Sequence, residues 1–309
     1  MAPSKSSSTL PYAIAALACW GFALYFPLAE VQKLNLSNSS FLLSIGSAFR
    51  AKDQLLLGLC VDVLAVAIPS LLFLLLPLAA APSSTPLRKR CLQLLGAIKT
   101  WAMPEVFALS ILIAFIKLGS LAEASIAPGF YFLSLATLLL IYLLQRLPIP
   151  EPPHRKSRPA ALAYLLAACL LLVPANALPI MTVSTAQGHK SSTIIAGVAN
   201  LAEHGLWGIA AVVFVASILV PFGKLGGLAW LLFLSHKNPD PSFQGKLYRF
   251  IDFIGRWSML DIFLIGVLAS LIEFGSLASI SPGPAAPAFA AAVILTIIAV
   301  ERFPLKQSS

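Results

Sequence analysis

The run "SILVPFGKLGGLAW" (217–230) holds a lysine, Lys224, among residues that otherwise suit the interior of a membrane. A charged amine there costs at least a few kcal/mol, so it must reach an interface or find a partner. Ser217 lies seven residues earlier and shares a helical face with it; Ser258 and Asp261, three apart, share a face of another helix. One face thus offers a base and the other an acid, and Thr296 in the last apolar run adds a hydroxyl. Pairing Lys224 with Asp261 would let the amine stay charged in a low dielectric, with the hydroxyls satisfying its other donors. Protonating Asp261 would then release the lysine and shift the helices, which is how proton relays are built. The competing reading is a pair that only locks two helices together, and the expense of burying such groups favours the functional one.

Other polar residues carry less. Glu273, Lys117, Asp62 and Glu105 face the bundle interior or sit at interfaces. The four histidines fall in loops, His154 and His236 on one side and His189 and His204 in segment 182–205, with no i, i+4 pair to hold haem or metal. Cys19, Cys60, Cys91 and Cys169 are scattered without a C-x-x-C pair, so neither a zinc ribbon nor a dithiol motif can be written from them and packing is their expected role. No catalytic residue, cofactor or metal site is expected. Asn176 in "VPANALPIM" marks a kinked or broken helix end, and Trp20, Trp101, Trp207, Trp230 and Trp257 fall near the ends of apolar runs, as interfacial anchors do.

The elements that position these residues are membrane spans. Of 309 residues 59% are hydrophobic and 11% charged, with a mean hydropathy of +0.89, which excludes a soluble domain. The first apolar run begins a series that continues down the chain, so it is read as a retained span and not as a signal peptide. At about 20 apolar residues per crossing, candidate spans are 11–29, 54–80, 104–122, 128–147, 160–181, 205–235, 259–277 and 285–302. Eight spans put both termini on one side. That side receives fifteen of the 21 Lys and Arg residues, while Lys33, Arg50, Lys52 and Lys190 fall opposite, so the positive-inside rule makes it cytoplasmic. The net charge of +9 therefore records topology, with some attraction to anionic lipid, and no nucleic-acid partner is expected.

The proline-rich linker "PIPEPPHRKSRP" (148–159) separates two groups of four spans, 1–147 and 160–309. "WAMPEVFALSILIAFIKLGSLAEAS" (101–125) matches "WSMLDIFLIGVLASLIEFGSLASIS" (257–281) at ten of 25 positions without a gap. Upstream, a shift of 152 lays Pro27 on Pro179, Ser40 on Ser192 and Pro69 on Pro221. Each copy holds four spans, so the copies enter the membrane in the same direction: an all-α integral membrane protein of two tandem parallel four-helix modules, tetraspanin-like in layout. Lys224 aligns with Leu72, Ser217 with Ala65 and Ser258 with Ala102, whereas Asp261 aligns with another acid, Glu105. The asymmetry places the working site in the second copy and makes the first a degenerate scaffold. Segments 30–53 and 182–205, on the far side, read as docking surfaces or rims over a lipid pocket.

"LLVPANALPIMTV", "STIIAGVANLAEHGLWGIAAVVFVASILVPFGKL" and "RFIDFIGRWSMLDIFLIGVLASLIEFGSLASISPGPAAPAFAAAVILTIIA" closely resemble the paraquat-inducible protein A family across 160–302, with a fainter copy over 11–147. The resemblance implies a bacterial inner-membrane subunit that loads lipid into, or unloads it from, a tunnel formed by a periplasmic MCE-domain partner, with phospholipid as cargo and membrane lipids around it. It implies that the polar cluster couples lipid movement to protons, falling here on Ser217, Lys224, Ser258, Asp261 and Thr296. Typical members precede each module with a four-cysteine zinc ribbon, whereas ten residues precede the first span here and twelve linker residues the fifth. A membrane oxidoreductase acting on quinones would want buried histidines or a cysteine pair. A passive membrane anchor for the tunnel protein would not need Lys224 at all.

Overall fold

The computed structural model describes residues 9–33, 36–82, 85–118, 123–150, 157–185, 188–234, 241–272 and 278–303. The chain forms two compact units, Met1–Pro153 with Gly266–Gly275, and His154–Ile265 with Ser276–Ser309. Two series of elements follow one another along it. The first is α1 (Leu10–Tyr25), β1 (Ala29–Lys33), β2 (Leu36–Ser40), α2 (Ser44–Arg50), α3 (Leu55–Val61), a π-turn (Asp62–Ala67), α4 (Ile68–Ala80), α5 (Pro86–Ile98), α6 (Pro104–Leu118), β3 (Glu123–Ile126) and α7 (Pro128–Arg146). The second is α8 (Arg158–Ala177), β4 (Met181–Thr185), β5 (Gly188–Ser192), α9 (Ile194–Glu203), α10 (Trp207–Phe214), a π-turn (Val215–Leu219), α11 (Val220–Leu234), α12 (Pro241–Trp257), α13 (Leu260–Leu271), β6 (Ala278–Pro282) and α14 (Ala285–Arg302).

Among the described residues five helices are long and apolar enough to cross a membrane: Leu55–Ala80, Pro128–Arg146, Arg158–Ala177, Trp207–Leu232 and Ala285–Arg302. Leu10–Tyr25, Pro104–Ile116 and Leu260–Leu271 are shorter apolar helices lying on the other three expected spans. At 1.5 Å per residue α13 extends about 18 Å, short of the roughly 30 Å hydrocarbon layer. Large apolar side chains such as Leu166, Leu170, Val173, Leu219 and Phe222 are exposed along these helices. In water such rows would be a liability; facing lipid, they are the expected outer surface of a helical membrane protein.

Six short strands were not foreseen in the helical reading. β2-β1-β3 and β5-β4-β6 form two antiparallel sheets of the same order. Ala29 pairs with Ser40 and Ile126, and Met181 with Ser192 and Pro282. The repeat therefore holds at the level of register, with shifts of 152 for the hairpins and 156 for the closing strands. Backbone bonds repeat too: Leu28 N to Ser40 O (2.8 Å) matches Ile180 N to Ser192 O (2.9 Å), and Gly129 N to Pro27 O (2.9 Å) matches Ala285 N to Pro179 O (3.1 Å). A Cβ on Gly129 would lie 2.6 Å from the Pro27 carbonyl oxygen, and one on Gly283 would lie 2.2 Å from that of Pro179. Each corner thus has a glycine where its chain passes closest, but at different positions, since the 156-residue shift sets Ala285 against Gly129 and Ala127 against Gly283.

The π-turns recur in both copies for one reason. Pro69 and Pro221 lack the N–H that a regular helix would donate to the carbonyl four residues back, Ala65 and Ser217, and their rings crowd it. The helix widens instead, and the Ile68 and Val220 amides reach the carbonyls five residues back, Val63 and Val215.

α1 packs along α7 in the first unit, and α8 along α14 in the second. Trp20, expected as an interfacial anchor, turns inward instead: it is buried, stacks on Phe73 (centroids 4.9 Å) and donates from Nε1 to Ser70 Oγ at 2.9 Å. Trp207 and Trp230 are exposed. In the first unit, Asn38 Nδ2 donates to the carbonyls of Ser270 (3.0 Å) and Leu271 (3.3 Å), capping the C-terminal end of α13, and the Ser270 hydroxyl lies 3.0 Å from those of Ser40 and Ser44.

Candidate functional site

All five residues singled out by spacing and repeat asymmetry belong to the second unit, and all are buried: Ser217 at 0% exposure, Lys224 at 3%, Ser258 at 2%, Asp261 at 6% and Thr296 at 4%. Ser217 sits in the π-turn and Lys224 on α11, so the seven-residue spacing between them is not that of a regular α-helix. The extra residue in the π-turn rotates one relative to the other, yet both end up inside. Ser258 lies in the turn between α12 and α13, and Asp261 in the first turn of α13. The positive end of the helix dipole lies at that helix start and favours the carboxylate. Thr296 lies on α14, and its hydroxyl donates to the Val293 carbonyl at 2.7 Å, leaving its lone pairs as acceptors.

α11 packs against α8, α12 and α14. The lysine side chain rests on Gly255 of α12: a Cβ there would stand 2.6 Å from Lys224 Nζ and 2.9 Å from its Cε. Sequence reasoning missed Gly255. The signal lay in the repeat, where the 156-residue shift sets Lys99 against Gly255, so the copy with a lysine on the long helix has a glycine opposite it and the other copy has neither.

Among the described residues no protein group hydrogen-bonds the Ser217 or Ser258 hydroxyl. A buried hydroxyl left this way costs about 1–3 kcal/mol, an expense that a purely structural design removes by using alanine, as the first copy does. Ala65, Leu72 and Ala102 there are buried apolar residues, and Glu105 is half-buried in the first turn of α6.

The remaining candidates are placed differently. Asp62 forms an ion pair with Arg50 in the first unit, where the α2–α3 corner is so tight that a Cβ on Gly46 would collide with the Asp62 carboxylate. Glu273, His154 and His236 lie outside the described residues, as does the side chain of Lys117. His189 Nδ1 is 2.8 Å from Ser184 Oγ across the β4–β5 hairpin, and His204 donates from Nδ1 to the Asn200 carbonyl at 2.7 Å. Asn176 follows Pro174 in the last turn of α8 and donates from Nδ2 to the Leu172 carbonyl at 2.8 Å, so the helix is continuous through it. The four cysteines are free, and among the described residues no three His, Cys, Asp or Glu side chains gather into a metal-sized cluster.

These features define a helical integral membrane protein with a repeated unit and five buried polar residues in its second copy. The model of the paraquat-inducible protein A family matches residues 7–149 and again 159–308, and the chain belongs to that family. It is 30% identical to "Intermembrane transport protein PqiA" of Escherichia coli (strain K12), over 94% of this chain and 83% of that protein. It is 43% identical to "Lipophilic envelope-spanning tunnel protein A" of the same strain, over 48% of this chain and 35% of that protein. A "Probable intermembrane transport protein" of Haemophilus influenzae is 36% identical over 48% of this chain and 36% of its own length. No solved structure matches the chain.

Proposed function

We propose that this chain is the inner-membrane subunit of an MCE-type intermembrane lipid transport system, passing phospholipid to or from a periplasmic tunnel protein without covalent chemistry. In this reading eight spans form two tandem four-helix modules, tetraspanin-like in layout, with 1–147 as scaffold, 148–159 as cytoplasmic linker and 160–309 as the working module. Both termini face the cytoplasm, in keeping with the bias of basic residues. The relatives' names support transport between membranes. An open groove of about 450 Å³ between α8 and α11, lined by Leu172, Val173, Phe222 and Leu225 with Asn176 as its polar member, suits an acyl chain.

Proton coupling is the mechanism this site serves best. Lys224 and Asp261 supply opposite charges within one buried cluster, and the Ser217, Ser258 and Thr296 hydroxyls supply polar positions between helices along which a proton moves. With Asp261 ionised, the cluster is neutral and closed. Protonating Asp261 removes the counter-charge, and a lone buried ammonium drives the helices toward an arrangement that hydrates it. The observation that carries the proposal is the burial of a lysine, a carboxylate and two hydroxyls in one copy of a repeat whose other copy keeps only the carboxylate's equivalent.

The test is growth of a strain that relies on this gene under detergent stress, comparing wild type with Lys224→Ala at matched protein levels. Failure of the variant, with the tunnel partner still co-purifying, is the expected result. Unimpaired growth would reduce the chain to an anchor for its partner.

A further inference from the structure

Among its described side chains, those that fix helix α12 to the second unit share one face. On that face the Tyr248 hydroxyl donates to the Val300 carbonyl at 3.2 Å, and its ring stacks on Phe303 with centroids 6.1 Å apart. Ile251 is buried with its Cδ1 close over Gly227, and Gly255 lies under Lys224. Lys246, Arg249, Phe250 and Phe253 are instead exposed, the two phenylalanines at 60% and 61%. At 3.6 residues per turn these four fall within an arc of about 100°. The Phe253 ring neighbours that of Trp257, with centroids 6.4 Å apart.

Two bare phenylalanines do not belong in water, and two cations do not belong in hydrocarbon. Side by side they suit one environment, the headgroup boundary of a bilayer, where rings sink toward the acyl chains and basic side chains reach up to phosphates. α12 joins two apolar helices, α11 and α13, so it stands where spans meet that boundary. It also belongs to the basic side of the chain, where anionic lipid attracts lysine and arginine. α5, at the equivalent place in the first unit, exposes Lys89 and Arg90 together with Leu87 and Leu94. The pattern is repeated although the residues are not.

We infer that the outer face of α12 is a binding surface for anionic phospholipid: Phe250 and Phe253 seat the helix in the leaflet while Lys246 and Arg249 bind headgroup phosphate. This is independent of what the protein transports. It holds equally for a lipid carrier and for an anchor.

The test uses the full chain with its four native cysteines replaced by serine and a bimane label introduced through Phe253→Cys, in nanodiscs of phosphatidylcholine alone or mixed with phosphatidylglycerol. The expected result is a blue-shifted emission and protection from aqueous acrylamide that rises severalfold with phosphatidylglycerol. Adding Lys246→Gln and Arg249→Gln should abolish the rise and leave the protection seen in phosphatidylcholine. A label at Ser191→Cys, exposed on the β5 hairpin strand, gives the unprotected reference. Quenching at position 253 equal to that reference in both discs would overturn the inference and leave the face for a protein partner. Protection that ignores both the lipid charge and the two glutamines would overturn it as well, since the face would then bind no anion.

Discussion

In the first unit the long helix after the hairpin carries Ala65 in its π-turn and Leu72 beyond Pro69; in the second the same frame carries Ser217 and Lys224 around Pro221. Around these substitutions strand register, corner bonds and the two π-turns are the same. What the copies share is the frame of the unit; the proposed function assigns the work to what only the second has. Gly255 against Lys99 extends the contrast to the helix that faces the lysine.

Six substitutions can break or sharpen this comparison. Asp261→Asn should abolish growth under detergent stress, while Glu105→Gln at the equivalent position of the first copy leaves most of it; equal damage from both would dissolve the asymmetry. Gly255→Ala should displace the lysine and not the helix, because the methyl meets the flexible end of Lys224. Transport should fall by about tenfold, equivalent to about 1.4 kcal/mol, with the melting curve in detergent little changed. Gly129→Ala and Gly283→Ala press a methyl onto a backbone carbonyl that cannot give way. Each should cost about 1–3 kcal/mol of stability; the two glycines stand at different positions of the corner, Gly129 against Ala285 and Gly283 against Ala127, so each variant probes the corner of its own copy. The smallest effect is expected from Trp20→Phe, which keeps the stacking on Phe73 and gives up the bond to Ser70, worth about 1 kcal/mol by thermal unfolding.

The apolar runs, the repeat and the inward direction of the five polar residues were legible in the sequence because each rests on a strong signal: hydrocarbon thickness, aligned identities, and the expense of a buried charge. The sheets were not. "AEVQK", "LSNSS" and "GHKSS" are short and polar, and the strand that completes each sheet comes from beyond the next two spans, so nothing local announces it. Trp20 was misread because a tryptophan near a span end has two uses, and only Ser70 and Phe73, fifty residues on, decide between them. The widening around Ser217 could have been anticipated from Pro221, four residues later, and its effect on which faces Ser217 and Lys224 share follows from it.

The most direct test of the account removes the whole polar set that distinguishes the second copy, with Ser217→Ala, Lys224→Leu, Ser258→Ala and Asp261→Asn in one chain, so that no charge is left buried without its counterpart. Replacing both members of a buried ion pair together by uncharged residues often leaves stability unchanged or raised. The account predicts a protein that melts at or above the wild-type temperature, still retains its tunnel partner and supports no growth under detergent stress. A variant that melts early and fails would make the cluster a structural lock, and one that grows as wild type would show that the two copies differ in residues but not in work.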